Sequence, residues 1–263
     1  MIKTITLGLG LLAASSANAK LAYFVELGTG FSKPEAGAGL SSDLVVTGAH
    51  KFSDDVKAGF EVIQGINYLT AGDSNFSLTH KTLRFPVTFS NLKWLGDSWK
   101  TSFTVRWTAP TSAGAHKIGG LGAVLLRPAF STESGDFSFL ARPSVSLPLT
   151  DSYKQKYVVP GEAADSINLF SYAVELFPSY NINDKMGLGA SVVMSQAYKA
   201  AIAGTDAAFQ TALFSWDLEL GLPVKAGPAS FAVSVGEGDL PLSDLKMFKA
   251  ETLSYNFYVR AEF

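Results

Sequence analysis

Apolar and polar residues alternate one by one along a dozen short stretches of the chain, and helical periodicity is almost absent. The last stretch shows the pattern most clearly. Leu253, Tyr255, Phe257, Val259, Ala261 and Phe263 are apolar. Thr252, Ser254, Asn256, Arg260 and Glu262 between them are polar, and only Tyr258 blurs the alternation. A strict period of two predicts a strand with one greasy face and one wet face.

Taken in order, Leu21, Tyr23, Val25 and Leu27 alternate with Ala22, Phe24, Glu26 and Gly28. A Gly/Ala/Ser-rich loop near 32–42 precedes a second strand running to Phe52. A third carries Val56, Ala58, Phe60 and Val62 against Lys57 and Glu61. A fourth sets Leu83, Phe85, Val87 and Phe89 against Thr82, Arg84 and Thr88. The fifth is the cleanest of the internal strands, with Trp99, Thr101, Phe103, Val105 and Trp107 opposed to Lys100, Ser102, Thr104, Arg106 and Thr108. The sixth, 120–130, does not separate into two faces. The seventh opposes Phe137, Phe139, Ala141, Val145 and Leu147 to Ser138, Arg142, Ser144 and Ser146. Further strands centre on Val174, Ala190, Leu218 and Val233.

That makes about twelve strands, although ten or fourteen also fit. The connections alternate as well: those near 53, 132, 181 and 224 are short and turn-like, whereas the others are longer and polar, the longest covering about 151–166. A soluble β-sandwich is the plain alternative. In a sandwich, however, the polar faces meet water and are heavily charged, while here they are mostly Ser, Thr, Gly and Ala with one or two charges each. Aromatics crowd both strand ends, with Phe52, Trp94, Trp99, Phe130, Phe137 and Tyr180 on the short-turn side and Phe76, Trp107, Phe170, Phe209 and Phe248 on the other. Two interfacial girdles have this appearance. The fold expected is therefore an all-β, antiparallel, up-and-down transmembrane barrel.

Composition narrows the function. Of 263 residues 47% are hydrophobic and only 17% charged, with no Cys and a formal charge of −2. No disulfide frame, lipid-anchored Cys or thiolate chemistry is available, and no basic patch points to nucleic acid. No Cys/His cluster, Gly-rich phosphate loop or Asp-rich calcium loop points to a metal, nucleotide or other cofactor. At the N-terminus, Lys3, the apolar run 5–14 and Ala17-Asn18-Ala19 have the form of a cleaved signal peptide over residues 1–19, with a mature barrel over 20–263. No run reaches the roughly 18 apolar residues of a spanning helix, so any spanning falls to strands.

The chain resembles the outer-membrane β-barrel proteins of Gram-negative bacteria, through the alternating final strand with its terminal Phe and through the strand grammar upstream. The resemblance implies outer-membrane localisation with outer-membrane lipid as a partner. It also implies recognition of the C-terminal strand by the barrel-assembly machinery, with Tyr255, Phe257, Val259 and Phe263 as the assembly signal. Short turns would face the periplasm and long loops the outside.

Twelve strands spaced about 4.8 Å and tilted about 40° give a backbone radius of roughly 12 Å, and side chains about 5 Å long leave a lumen on the order of 14 Å across. Inward positions carry ordered charge. Arg84, Arg106, Arg127 and Arg142 fall on strands four to seven and would form one patch on the wall. Glu26, Glu61, Glu175, Asp217 and Glu219 would flank and face it. Two outcomes compete: separated charges make a transverse field that selects polar or anionic solutes, or arginines reach across to carboxylates and plug the barrel. Arg260 and Glu262 look like a local pair near the periplasmic rim. His80, with Asp73 and Ser74 nearby, is the one base placed for rim chemistry. His50 lies on an apolar face and His116 in a loop, and no Asp-His or His-Ser spacing assembles a catalytic rim. A non-enzymatic, porin-like channel for ions and small hydrophilic solutes is the expected function. A closed surface-binding barrel and a rim hydrolase are the alternatives.

Overall fold

A computed structural model describes residues 21–32, 39–69, 77–96, 98–111, 120–150, 168–183, 186–199, 208–223, 229–245, 247–248 and 252–262. The signal-like segment, Asp73, Ser74, Phe76, His116, Phe263 and the long connection 151–166 lie outside them. Thirteen strands follow one another: β1 Leu21–Ser32, β2 Gly39–Lys51, β3 Val56–Leu69, β4 Ser77–Phe89, β5 Lys100–Thr108, β6 Gly120–Ser134, β7 Phe137–Thr150, β8 Asn168–Asn183, β9 Met186–Lys199, β10 Ala208–Phe209, β11 Leu213–Pro223, β12 Ala229–Pro241 and β13 Leu253–Glu262. β10 is a two-residue strip on β9. The other twelve pair antiparallel with their neighbours, and β1 pairs with β13 from Phe24↔Glu262 to Ser32↔Ser254. This seam closes the sheet into a twelve-stranded barrel, so neither ten nor fourteen strands applies.

Closure matters because each strand edge is a row of backbone N–H and C=O groups that needs partners, and in hydrocarbon only a closed ladder supplies them all. No helix among the described residues is long and apolar enough to cross a membrane. Among the described residues very few apolar side chains are hidden: Ala232 and Leu240 are the buried ones. Phe85, Phe89, Trp107, Phe137, Val145, Leu147, Leu188, Leu218, Val233 and Phe257 stand exposed in their alternating rows. The greasy face is thus the outside of the barrel, the inverse of a soluble sandwich.

The sixth strand, unreadable from the sequence, resolves through a bulge between Gly120 and Gly122. Gly122 sits at φ +106°, and a Cβ there would meet Thr108 O at 2.3 Å and the Trp107 indole at 2.7 Å, so only glycine fits. Beyond the bulge the strand runs regularly, with Leu125 opposite Arg106 and Arg127 opposite Thr104.

One carboxylate lies on the greasy face. Glu237 pairs in register with Trp216, beyond a shift between Phe214 and Trp216. It is 2% exposed. Trp216 Nε1, the Phe248 amide and Thr252 Oγ1 donate to it at 2.8, 2.9 and 2.5 Å, and the Phe248 ring packs on Trp216 with centroids 5.2 Å apart. The return from β12 to β13 therefore laps over the outer wall and shields this acid.

Candidate functional site: the charged lumen wall

The charged side chains anticipated from the sequence alternate with the exposed greasy row, on the other face of the sheet, and the strand register sets them beside one another. On one wall the row crosses six consecutive strands: Glu61 on β3, Arg84 on β4, Arg106 on β5, Arg127 on β6, Arg142 on β7 and Glu175 on β8. Glu61 lies opposite Arg84, and Arg142 opposite Glu175. Between them the row climbs diagonally. Arg84 faces Thr108, two residues from Arg106, and Arg106 faces Leu125, two residues from Arg127.

Both ends of the row are clamped. Arg84 Nη1 donates to Glu61 Oε1. Arg142 Nε lies 2.9 Å from Glu175 Oε2, with its guanidinium 4.2 Å over the Phe177 ring. The two middle arginines differ: among the described residues neither Arg106 nor Arg127 has an ion pair. Their inward neighbours across the ladder are Pro86, Leu125 and Thr104, none of which carries charge. The Nε atoms of all four arginines are buried without a hydrogen-bond partner among the described residues, so the ion pairs alone set the outer two apart. Four guanidiniums stand against two carboxylates on this wall.

The opposite side of the barrel reverses the ratio. Asp217 and Glu219 on β11 and Glu26 on β1 surround one cation, Arg260 on β13. Arg260 Nη1 and Nη2 donate to Glu219 Oε1 and Oε2 at 2.6 and 2.9 Å, a two-pronged contact, and its Nε donates to Glu26. To reach β11 the side chain passes over β12, whose inward residues there are Ser230, Ala232 and Ser234. Their small size leaves the path open. Tyr258, the residue that blurred the alternation, faces inward beside Arg260, with the guanidinium 4.9 Å from its ring. Gly28 opposite leaves room for it, since a Cβ there would lie 3.0 Å from the Tyr258 ring. Ser234 Oγ donates to Asp217 Oδ2 at 2.7 Å and accepts from Asn256 Nδ2 at 3.3 Å.

Arg260 has partners that the expected local pair with Glu262 did not include. The partners of Arg260 come from the first and eleventh strands, which only barrel closure brings alongside it; the Glu262 side chain lies outside the described set. The polar positions 254, 256 and 260 share one face with Tyr258, a signal that was available in the sequence. Tyr255 and Phe257 of the candidate assembly signal stand exposed on the outside. His80 falls opposite Gln64 in the register, and its side chain is outside the described residues, as are its would-be companions.

Closed into a ring and greasy outside, the chain has the fold of a twelve-stranded, antiparallel, up-and-down β-barrel. It is similar in structure to an outer-membrane channel from Pseudomonas putida F1, at 12% identity and a TM-score of 0.59 over 93% of this chain and 96% of that one. It also matches the NanC porin, at 10% identity and 0.55 over 90% and 98%, and the KdgM porin, at 10% and 0.51 over 91% and 99%. Identities this low establish the shared fold and nothing finer. No family model and no curated protein sequence matches the chain.

Proposed function

We propose that the protein is a passive outer-membrane channel for ions and small hydrophilic solutes, with the arginine wall favouring polar or anionic ones. The observation that carries this is the unequal division of charge: four guanidiniums and two carboxylates on β3–β8, one guanidinium and three carboxylates on β11–β1. A transverse field across a water-filled lumen with low-dielectric walls orients dipolar solutes and concentrates anions along the positive side. The porins and channel that share its fold support a conducting role over a catalytic one. Insertion into the outer membrane would use the exposed aromatic rows of β13 as the signal to the assembly machinery.

Planar-bilayer recording of the refolded mature chain tests the proposal. Stable conductance steps, with a reversal potential in a KCl gradient that shows anions favoured, are the expected result. Well-folded protein that stays silent would establish instead a closed barrel, held shut by the ion pairs that reach into its lumen.

A further inference from the structure

We infer that Arg106 and Arg127 together form an oxyanion-binding site in the lumen, taking the carboxylate or phosphate group of a passing solute, while Arg84 and Arg142 are taken up by carboxylates of their own. This rests on the channel function proposed above and names the residues and the chemistry that give it selectivity.

All four arginines look equivalent in the sequence; their partners make them different. Glu61 holds Arg84 and Glu175 holds Arg142, so the charge of each outer arginine is already compensated. Arg106 and Arg127 lie on adjacent strands, diagonal to one another across the β5–β6 ladder. Proline, leucine and threonine face them, and no carboxylate among the described residues reaches them. Two like charges side by side and partly dehydrated repel, and their repulsion is relieved by an anion placed between them. Guanidinium forks suit a two-oxygen anion better than a spherical one, because each offers parallel N–H donors at the spacing of carboxylate or phosphate oxygens. A neutral solute gains none of this. Glu61 and Glu175 make their ion pairs with Arg84 and Arg142 and none with the middle pair.

The test uses the full mature chain in planar bilayers, with inorganic phosphate and acetate as probes of the chloride current. Folding of each variant is checked by heat-modifiable gel migration. Wild-type current should be blocked saturably by phosphate. In R106Q/R127Q the block should weaken at least about tenfold, the size of one lost charge-assisted hydrogen bond. Lys51→Ala, at the exposed Lys51–Asp54 pair in the β2–β3 turn, should leave it within about twofold of wild type. R106K/R127K keeps the charge and loses the forks, so it should retain anion preference while phosphate block falls. Equal block in wild type, R106Q/R127Q and R106K/R127K, in channels that conduct, overturns the site and leaves the channel function standing. A wild-type barrel that conducts nothing overturns both. Acetate blocking as tightly as phosphate identifies a carboxylate-sized contact; phosphate blocking more tightly identifies use of a third oxygen.

Discussion

The two halves of the lumen use the same ions to opposite ends. On β11–β1 one arginine is shared by two carboxylates, because the small inward residues of β12 let its side chain cross a whole strand. On β3–β8 the arginines outnumber the acids, and the two in the middle face uncharged residues. The first arrangement is a brace that ties the seam of the barrel. The second leaves two guanidiniums without an ion pair among the described residues. In a pore wall the number of arginines says little until each has been matched with the carboxylates its side chain can reach.

Removing the brace should have the largest effect. Arg260→Ala leaves Glu26 and Glu219 without their cation. Because these groups keep 30%, 21% and 27% of their side-chain surface exposed, the cost should fall near 2 kcal/mol, below the 3–5 kcal/mol of a fully buried pair. Urea titration of folding into lipid vesicles measures it; an unchanged midpoint would show that the seam does not depend on the bridge. Filling the floor under it comes next. Ala232, 2% exposed and opposite Tyr258, should cost roughly 1–3 kcal/mol as Ala232→Leu through overpacking, whereas Ala232→Ser should be tolerated.

A smaller effect sharpens the opposite wall. Glu61→Gln with Glu175→Gln releases Arg84 and Arg142, and the anion-to-cation permeability ratio should rise by about two- to threefold. A ratio that falls would mean that the clamped arginines already served as the anion path. The smallest effect belongs to an exposed pair outside the lumen. Lys51 Nζ lies 2.7 Å from Asp54 Oδ1 in the β2–β3 turn, and the hydrogen bond and charge of Lys51 hold the Asp54 carboxyl below its ordinary range. A carboxyl lowered in this way contributes stability above its unfolded pKa and loses it as pH falls through the folded value. At 92% exposure, solvent screens the contact. Lys51→Ala should therefore raise the Asp54 midpoint in an NMR titration without a resolvable change in unfolding.

Much of the architecture could be read in the residue order. The two-residue period and the spacing of the segments located about twelve strands, because a barrel in lipid inverts the usual burial and leaves one face continuously apolar. The faces of β6 were not separable, since its Gly120–Gly122 bulge breaks the period at the strand's start and Leu125 takes an inward place. Alternation with Val233 and Val235 already sets Glu237 on the greasy face, but not its donors, which come from Trp216 across the ladder and from Phe248 and Thr252 beyond the strand.

Sequence by itself determined the alternation of wet and greasy faces and brought the strand count close to twelve, because these follow from the local geometry of an extended chain. Tertiary structure decided which charges are spent on each other. Glu26 and Arg260 lie 234 residues apart, and only closure of the sheet sets them side by side. Ion pairing depends on distances of a few ångströms between strands, and the order of residues along one strand does not contain them.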